Sequence, residues 1–274
     1  MEAYSVLMSV YVKENPEHFA TAIESILDQT VITNDFVIVC DGPLTQQLDD
    51  ILNHYAKQYP DIFNIVRLEK NVGIGAAANV GLQHCKNDLV AKMDGDDIAV
   101  PNRCETQLRL FKEDPDLTVC GGYIEEFDEN PDEPYAIRAV PLSNEEIRYF
   151  AKRRQPFNNM TVMYRRNAVF SVGGYHDLRR CEDYDLYIRL LHAGYKAANT
   201  SDVLVYARVN RDAYTRRGSW VTLKGCILSR WRAYKLGYSS LLDVAICVAG
   251  ECIIIISPKW LKQFIYRRFL RKSM

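Results

Sequence analysis

The strongest constraint on the fold is an alternation of short apolar runs with segments of helical periodicity over the first 122 residues. Such alternation predicts an α/β fold, with a mostly parallel sheet flanked by helices on both faces. In such a sheet, ligands bind beyond the carboxyl ends of the strands. The predicted strands are Tyr4–Val12, Asp35–Cys40, Phe63–Leu68, Asp88–Met93 and Leu117–Gly122, and the predicted helices are Pro16–Gln29, Thr45–Tyr59, Gly75–Cys85 and Asn102–Glu113.

The pattern changes after residue 122. An acidic loop that contains prolines, Glu125–Pro134, is followed by a predicted helix over Ser143–Arg153 and a strand-like segment over Asn158–Arg166. A further helix is expected from Glu182 to Ala193, and the region Thr215–Leu236 has a helical and basic pattern.

Charge is divided unevenly along the chain, although the net charge is only −1. Residues 1–207 hold 20 Lys and Arg against 32 Asp and Glu, whereas residues 208–274 hold 14 against 3. The basic C-terminal region is therefore expected to meet an anionic partner, which composition leaves open among phosphates, a membrane surface and the acidic half of the chain. We do not expect a nucleic-acid partner.

The apolar segment Leu241–Ile256 is 16 residues long and contains two acids, which makes it too short and too charged for a membrane span. We expect this segment to pack against lipid or against a second copy of the chain in a homodimer. The segment is followed by a tail, SPKWLKQFIYRRFLRKSM, that is basic and rich in aromatic residues and contains no acid. Such a tail predicts peripheral binding to an anionic membrane, with a solvated terminal helix as the alternative.

Cysteine usage and the N-terminus indicate a reducing compartment. The eight cysteines are scattered without a CxxC pair, which favours reduced thiols in the core over disulfides or a zinc site. The first residues have neither a basic flank nor a small-residue cleavage site, so no secretory signal is expected. Both observations favour a cytoplasmic protein.

Three aspartates, Asp94, Asp96 and Asp97, follow the fourth predicted strand within four residues. Like charges this close repel one another unless they are solvated or neutralised by a cation. The pair Asp94 and Asp96 can bind Mn²⁺ or Mg²⁺ and leave coordination positions open for phosphate oxygens. The alternative is a solvated turn in which Asp97 caps a helix. Asp41 ends the second predicted strand and would face the same edge of the sheet.

Two further motifs leave alternatives open. The stretch from Gly73 to Ala78 fits a G-x-G-x-x-A dinucleotide fingerprint, with Asp94 about 20 residues on. Its place after the third strand, and the clustering of three acids, argue against that function. Glu182, Asp183 and Asp185 stand in the first turn of a predicted helix, where acids complement the helix dipole or one of them faces a pocket as a base.

Five segments in order resemble the family 2 inverting glycosyltransferases, which bind nucleotide sugars with a GT-A fold. They are VLMSVYVKENPEHFATAIESILDQT, VCDGP, NVGIGAAANVGL, KMDGDDIAVPNRCETQ and EDYDLYIRLLHAGY. The resemblance implies a GT-A domain over 1–207, with a nucleotide-sugar-binding half (1–122) and an acceptor-binding half (123–207). The segments YTRRGSW and PKWLKQFIYRRFLRK are similar to a bacterial branch that builds capsular and other exopolysaccharides on lipid carriers, which implies a membrane-associating region over 208–274.

The resemblance assigns residues to the nucleotide sugar. It implies that Ser9 and Tyr11 line the nucleobase and that Asp41 accepts the uracil N3–H, which favours UDP. It also implies that Arg216 and Arg217, in YTRRGSW, bind the nucleotide sugar.

The same resemblance assigns the chemistry to acids. It implies that Asp94 lies near the ribose or the metal and that Asp96 is a direct ligand of Mn²⁺ or Mg²⁺. Asp183 corresponds to the base, with Asp185 as the alternative.

These inferences predict a metal-dependent, inverting hexosyltransferase on the inner face of the cell membrane. It would move a sugar from a UDP-sugar to a hydroxyl of a lipid-linked oligosaccharide. A sugar nucleotidyltransferase is the first alternative, but the segment YVKENPEHF lacks the glycines of its phosphate loop. A non-catalytic homologue that binds glycans or a partner subunit is the second.

Overall fold

The computed structural model describes residues 2–209 and 220–258 and the backbone of residues 272 and 273. A mixed ten-stranded sheet forms its centre. The strands are β1 (Tyr4–Val10), β2 (Phe36–Cys40), β3 (Phe63–Arg67), β4 (Leu89–Asp94), β5 (Ile98–Ala99), β6 (Leu117–Phe127), β7 (Ala136–Arg138), β8 (Met163–Arg165), β9 (Lys196–Arg208) and β10 (Lys272–Ser273). The helices are α1 (Pro16–Leu27), α2 (Gln46–Gln58), α3 (Ile74–His84), α4 (Arg103–Glu113), α5 (Asn144–Ala151), α6 (Arg166–Ser171), α7 (Glu182–His192), α8 (Trp220–Lys235) and α9 (Leu241–Ile256).

The N-terminal half contains the predicted parallel sheet, in the strand order β3, β2, β1, β4. Its helices begin where the caps predict. The Asn15 Oδ1 accepts hydrogen bonds from the N–H groups of Glu17 (2.9 Å) and His18 (3.3 Å), and Pro16 opens α1. The predicted α/β fold class is confirmed for this half in both strand direction and element order.

Two hydrophobic cores lie on the two faces of the sheet because successive strand residues point to opposite sides. Val6 and Met8 of β1 pack in the core that includes α1, whereas Leu7 packs in the core that includes α3. Helix α3 lies so close to the sheet that a Cβ on Gly81 would be 2.3 Å from the Leu7 Cδ1. Because α3 follows the carboxyl end of β3, its start lies at the carboxyl edge of the sheet.

The later strands are mostly antiparallel. Strand β8 pairs antiparallel with β4 and β6, and β7 pairs antiparallel with β6, while β9 runs parallel to β6. The prediction of one strand over Asn158–Arg166 is wrong, because Asn159–Thr161 forms a 3-10 turn before the short β8. The Asn158 side chain donates to the Gly122 carbonyl at 2.8 Å and draws the chain into that turn.

The predicted acidic loop also begins later than expected. Strand β6 continues to Phe127, and Glu126 within it is buried. Its long pairing with β9 extends the strand beyond the apolar run that the sequence shows.

Helix α8 packs beside α7, and α9 packs against α8. The Arg230 guanidinium lies 3.3 Å from the centre of the Tyr184 ring, and Arg153 pairs with Asp243 at 2.5 Å. A Cβ on Gly225 would lie 2.7 Å from the Arg180 carbonyl oxygen, so α8 approaches the chain before α7 closely. All eight cysteines, each within the described residues, are unpaired thiols, and five of them are buried as predicted. The prediction of a core position is wrong for Cys181 and Cys247, which are partly exposed, and for Cys252, which is exposed. In residues 2–209 and 220–258, no helix has both the length and the hydrophobicity of a membrane span.

Candidate functional site

The carboxyl ends of β1, β2 and β4 border a cleft of about 500 Å³. Five side chains predicted for the site, Ser9, Tyr11, Asp41, Asp94 and Asp96, lie together in its lining. Arg216 and Arg217 lie outside the described residues. The full lining is Ser9, Val10, Tyr11, Glu14, Asp41, Asn71, Gly73, Ile74, Lys92, Asp94, Gly95, Asp96 and Arg180.

Asp41 is buried and holds the loop between β3 and α3. Its Oδ1 accepts from the Val72 N–H at 2.7 Å, and its Oδ2 accepts from the Asn71 Nδ2 at 2.9 Å and the Gly73 N–H at 3.1 Å. Gly73 adopts φ 92°, a conformation that favours glycine. The carboxylate thus occupies amide groups that a dinucleotide fingerprint would direct at a pyrophosphate, which gives a physical reason against that alternative.

Lys92 is a buried cation in the cleft that sequence reasoning missed. Its Nζ donates to the Asp94 Oδ1 at 2.7 Å. The run DLVAKM has the pattern of a buried apolar strand, and nothing in that pattern marks its lysine as functional. Residues two apart on a strand share a face, however, and this spacing puts Lys92 beside Asp94.

Asp96 and Glu14 crowd the same cleft. Burial, with the nearby Asp94 charge, raises the pKa of Asp96 to about 6. Burial, with the nearby Asp96 charge, raises the pKa of Glu14 to about 7. Glu14 precedes α1 without any acidic pattern around it, and sequence reasoning missed it also. The cleft therefore concentrates negative charge that a divalent cation would relieve.

Asp97 has a structural role. The side chain is buried, and its Oδ1 accepts from the Arg208 N–H at 2.8 Å. Burial raises the pKa of its carboxyl well above the usual range. The Arg208 Nε also donates to the Asp96 carbonyl at 3.2 Å. The acidic turn, residues 94–97, is therefore bonded to the end of β9. The alternative that Asp97 caps α4 is wrong, since Asn102 stands at that cap.

The second acidic group stands at the start of α7. The Asp183 Oδ2 accepts from the Gln155 Nε2 at 2.6 Å, and its Oδ1 accepts from the Tyr184 N–H at 2.7 Å. Burial raises the pKa of the Asp183 carboxyl, while the hydrogen bond from Gln155 and the positive charge of Lys92 act in the opposite direction. The hydrogen bond from Gln155 thus fixes the orientation of the Asp183 carboxylate, as a positioned base requires.

Asp185 is committed to charged and polar partners. It is buried and pairs with the Arg189 Nε at 2.9 Å, the His176 Nδ1 at 2.9 Å and the Arg232 Nη1 at 3.5 Å. Arg189 also donates to the carbonyls of Val172 and Gly174. Burial, with the Arg189 charge, lowers the pKa of His176. Asp185 thus joins α7 to α8, through Arg232, and to the loop before α7, through His176.

In the described parts of the chain, no group of three His, Cys, Asp or Glu side chains is placed to hold a metal ion. Asp94 and Asp96 nevertheless supply two hard oxygen donors on one cleft, which is the ligand type that Mg²⁺ and Mn²⁺ prefer. Lys92 occupies one oxygen of Asp94, which makes Asp96 the freer of the two.

A family model described as glycosyl transferase family 2 matches residues 5–179. An uncharacterized glycosyltransferase of Haemophilus influenzae is 40% identical over 98% of this chain and 99% of its own. The amylovoran biosynthesis glycosyltransferase AmsE of Erwinia amylovora is 38% identical over 81% of this chain and 82% of its own. The UDP-Gal:alpha-D-GlcNAc-diphosphoundecaprenol beta-1,3-galactosyltransferase of Escherichia coli is 32% identical over 99% of this chain and 98% of its own.

Among solved structures, the mannosyltransferase PcManGT of Pyrobaculum calidifontis, in complex with GDP-Man and Mn²⁺, superimposes with a TM-score of 0.65 at 15% identity. The match covers 96% of this chain and 73% of that one. A structural similarity at such low sequence identity is evidence of the fold alone, and it confirms the predicted GT-A architecture.

The two candidate bases should differ in their effect on stability. Asp185→Asn leaves Arg189 without its buried anion, and we expect it to lower the free energy of unfolding by about 3–5 kcal/mol. Asp183→Asn should leave that free energy unchanged or raise it at pH 8. The raised pKa means that burial penalises the ionised Asp183, and this penalty is present above the raised pKa and absent below the unfolded value.

Urea denaturation of both variants at pH 8 measures this difference. A large destabilisation by Asp183→Asn, or none by Asp185→Asn, would contradict the division of roles between the two aspartates.

Proposed function

Because the chain belongs to glycosyl transferase family 2, as its motifs predict, we propose that it transfers a sugar from a UDP-sugar to a lipid-linked acceptor in the synthesis of a cell-surface polysaccharide. The observation that carries this proposal is the meeting of Asp41, Asp94 and Asp96 in one cleft at the carboxyl edge of a parallel sheet. The relatives from Erwinia amylovora and Escherichia coli support the pathway and the acceptor class by the activities in their names.

The donor nucleotide would lie along β1 and β2. Ser9 and Tyr11 line the cleft at the end of β1, and Tyr11 keeps 41% of its surface exposed, so its ring is available to a nucleobase. Asp41 would accept the uracil N3–H. Its two backbone donors and Asn71 hold the carboxylate in place before any ligand arrives, which lowers the ordering cost of binding.

The diphosphate would lie at Asp94 and Asp96. A bound Mn²⁺ or Mg²⁺ would supply the positive charge that stabilises the leaving diphosphate. Asp96 is the principal ligand in this proposal, and Asp94 is held at the other side of the turn by its hydrogen bond from Lys92. The Mn²⁺ in the complex of PcManGT supports the choice of metal type.

Asp183 would take the proton from the acceptor hydroxyl, and attack from the face opposite the diphosphate would invert the anomeric centre. Its Oδ2 is oriented by the hydrogen bond from Gln155. Asp185 is a poorer base, since three cationic or polar partners already occupy its oxygens.

The first prediction from this proposal concerns the metal. Asp96→Asn removes a charged oxygen ligand, and we expect it to abolish the Mn²⁺-dependent part of UDP binding. Asp61→Asn, which changes an exposed aspartate on the turn before β3, is the matched control and should bind UDP like the wild type. Calorimetric titration of UDP with and without Mn²⁺ measures the effect. Near-wild-type affinity of Asp96→Asn in Mn²⁺ would exclude this ligand assignment, and metal-independent UDP affinity in the wild type would favour the non-catalytic alternative.

The second prediction concerns the base. Asp183→Asn should retain UDP-sugar binding and lose turnover by about 10²–10⁴-fold, the usual contribution of a general base. In the wild type, activity should fall as the pH drops through the raised pKa of Asp183, and the variant should lose the part of this dependence that comes from Asp183. Steady-state kinetics across pH 5–9 is the measurement. If Asp185→Asn shows this pattern while folded and Asp183→Asn does not, the assignment is reversed.

The region 208–274 would bring the enzyme to the inner face of the membrane. Helices α8 and α9 expose large apolar side chains, with Trp220 at 76%, Leu242 at 65% and Ile256 at 81% of their surface exposed. Most of the predicted basic tail (residues 257–274), namely residues 259–271 and 274, lies outside the described residues. Its composition, together with the apolar side chains of α9, supports interfacial binding or contact with a second copy.

Liposome co-sedimentation tests this localisation. The full chain should bind vesicles of anionic lipid, less strongly at high salt, and a chain ending at Ile256 should bind them less. Vesicles of neutral lipid are the control for the charge contribution. Equal binding of both chains, or binding by neither, would rule out the tail as an anchor.

A further inference from the structure

Two more clefts lie on either side of the loop 176–180, which leads into α7. One, of about 620 Å³, separates this loop from the start of α3, and the other, of about 560 Å³, separates it from α8. Arg180 lines both clefts and also the cleft that holds Asp94 and Asp96. Val221 lines both of the outer clefts. The three spaces are therefore neighbours that lead from the acidic turn to the exposed surface of α8.

The outer clefts carry an excess of positive charge. Arg179, Arg180 and Lys224 are exposed in their walls. In the described parts of the chain, no carboxylate forms a salt bridge with any of the three. Asp177 is the single carboxylate among the described residues that line them. Guanidinium and ammonium groups placed like this favour a ligand with phosphate oxygens.

Apolar side chains surround the cation on α8. Trp220, Val221 and Leu228 line the same cleft as Lys224, and each keeps 40% or more of its surface exposed. Residues 220, 224 and 228 follow the four-residue spacing that places them on one face of a helix. This face therefore matches a ligand in which an anionic group is joined directly to a hydrocarbon chain.

The clefts are held open by rigid contacts. Gly225 lets α8 approach the Arg180 carbonyl, where a Cβ would lie at 2.7 Å. From the other side, Asp185 binds both His176 of the loop and Arg232 of α8. The separation between the loop and α8 is thus set by the fold before a ligand binds.

We propose that these two clefts bind the diphosphate and the first isoprenoid units of the acceptor, with Arg179 and Lys224 contacting the phosphate oxygens and Trp220, Val221 and Leu228 contacting the hydrocarbon. This inference rests on the proposed function, in which the acceptor sugar lies at Asp183. Arg180 precedes Asp183 by three residues, a span of at most about 11 Å. The sugar at Asp183 and the phosphates beside Arg179 and Arg180 can therefore belong to one acceptor molecule.

Binding of farnesyl diphosphate to the full chain tests this site without requiring transfer. Calorimetry is carried out in EDTA, below the micelle concentration of the probe, with inorganic diphosphate as the comparison. We expect farnesyl diphosphate to bind more tightly than inorganic diphosphate. R179Q/K224Q should weaken the affinity for farnesyl diphosphate by about tenfold or more, because the variant loses charge-assisted hydrogen bonds to the phosphate oxygens.

The matched control, K57Q/K112Q, removes the same charge from exposed positions on α2 and α4 and should bind like the wild type. The variant W220S/L228S should bind inorganic diphosphate normally and lose the preference for the farnesyl form. In a separate titration, saturating UDP with Mn²⁺ should leave farnesyl diphosphate bound.

Undiminished binding by R179Q/K224Q, or displacement of the probe by UDP, would overturn the site. Absence of farnesyl diphosphate binding in a wild type that binds UDP with Mn²⁺ would overturn this inference alone. Loss of metal-dependent UDP binding with intact farnesyl diphosphate binding would instead count against the proposed transfer reaction and leave the polyprenyl diphosphate site standing.

Discussion

The ion pair between the buried Lys92 ammonium and Asp94 reduces the repulsion among the carboxylates at the carboxyl edge of this sheet. Glu14, Asp94, Asp96 and the nearby Asp183 place several carboxyls around a small space. One strand residue carries the compensating charge into that space. The backbone of Lys92 is held by the fully buried Arg103, which donates to the Lys92 carbonyl at 2.5 Å. Arg103 also donates to the Gln107 Oε1 at 3.2 Å. Lys92 of β4 and Arg103 of α4 thus fix the position of β4, and with it the position of Asp94.

Much of the parallel half could be predicted from the sequence because each of its elements buries a face of its own. The strands β1 to β4 and the helices α1 to α4 lie within a few residues of the predicted bounds. Later elements depend on distant partners. Asn158 turns the chain because it bonds to Gly122, and β6 continues to Phe127 because β9 pairs with it. Contacts between residues that are distant in the sequence cannot be predicted from a local pattern.

The candidate site divides in the same way. Asp41, Asp94 and Asp96 were expected at one edge because the carboxyl ends of parallel strands meet there, and they do line one cleft. Lys92, Glu14 and Gln155 are single polar residues within apolar or irregular segments, and their roles exist only in three dimensions. The sequence left Asp183 and Asp185 open for a similar reason. Two of the partners that occupy Asp185, His176 and Arg232, come from outside its helix.

The close approach of Gly225 to Arg180 has a thermodynamic consequence for the two substrates. Arg180 lies in the wall of all three clefts, and α8 leaves its backbone no free space. Any occupant that displaces Arg180 on one side alters the shape of the wall on the other. Linkage requires that two ligands which each move Arg180 change each other's affinity by the same factor, so this side chain would couple recognition of the donor to recognition of the acceptor.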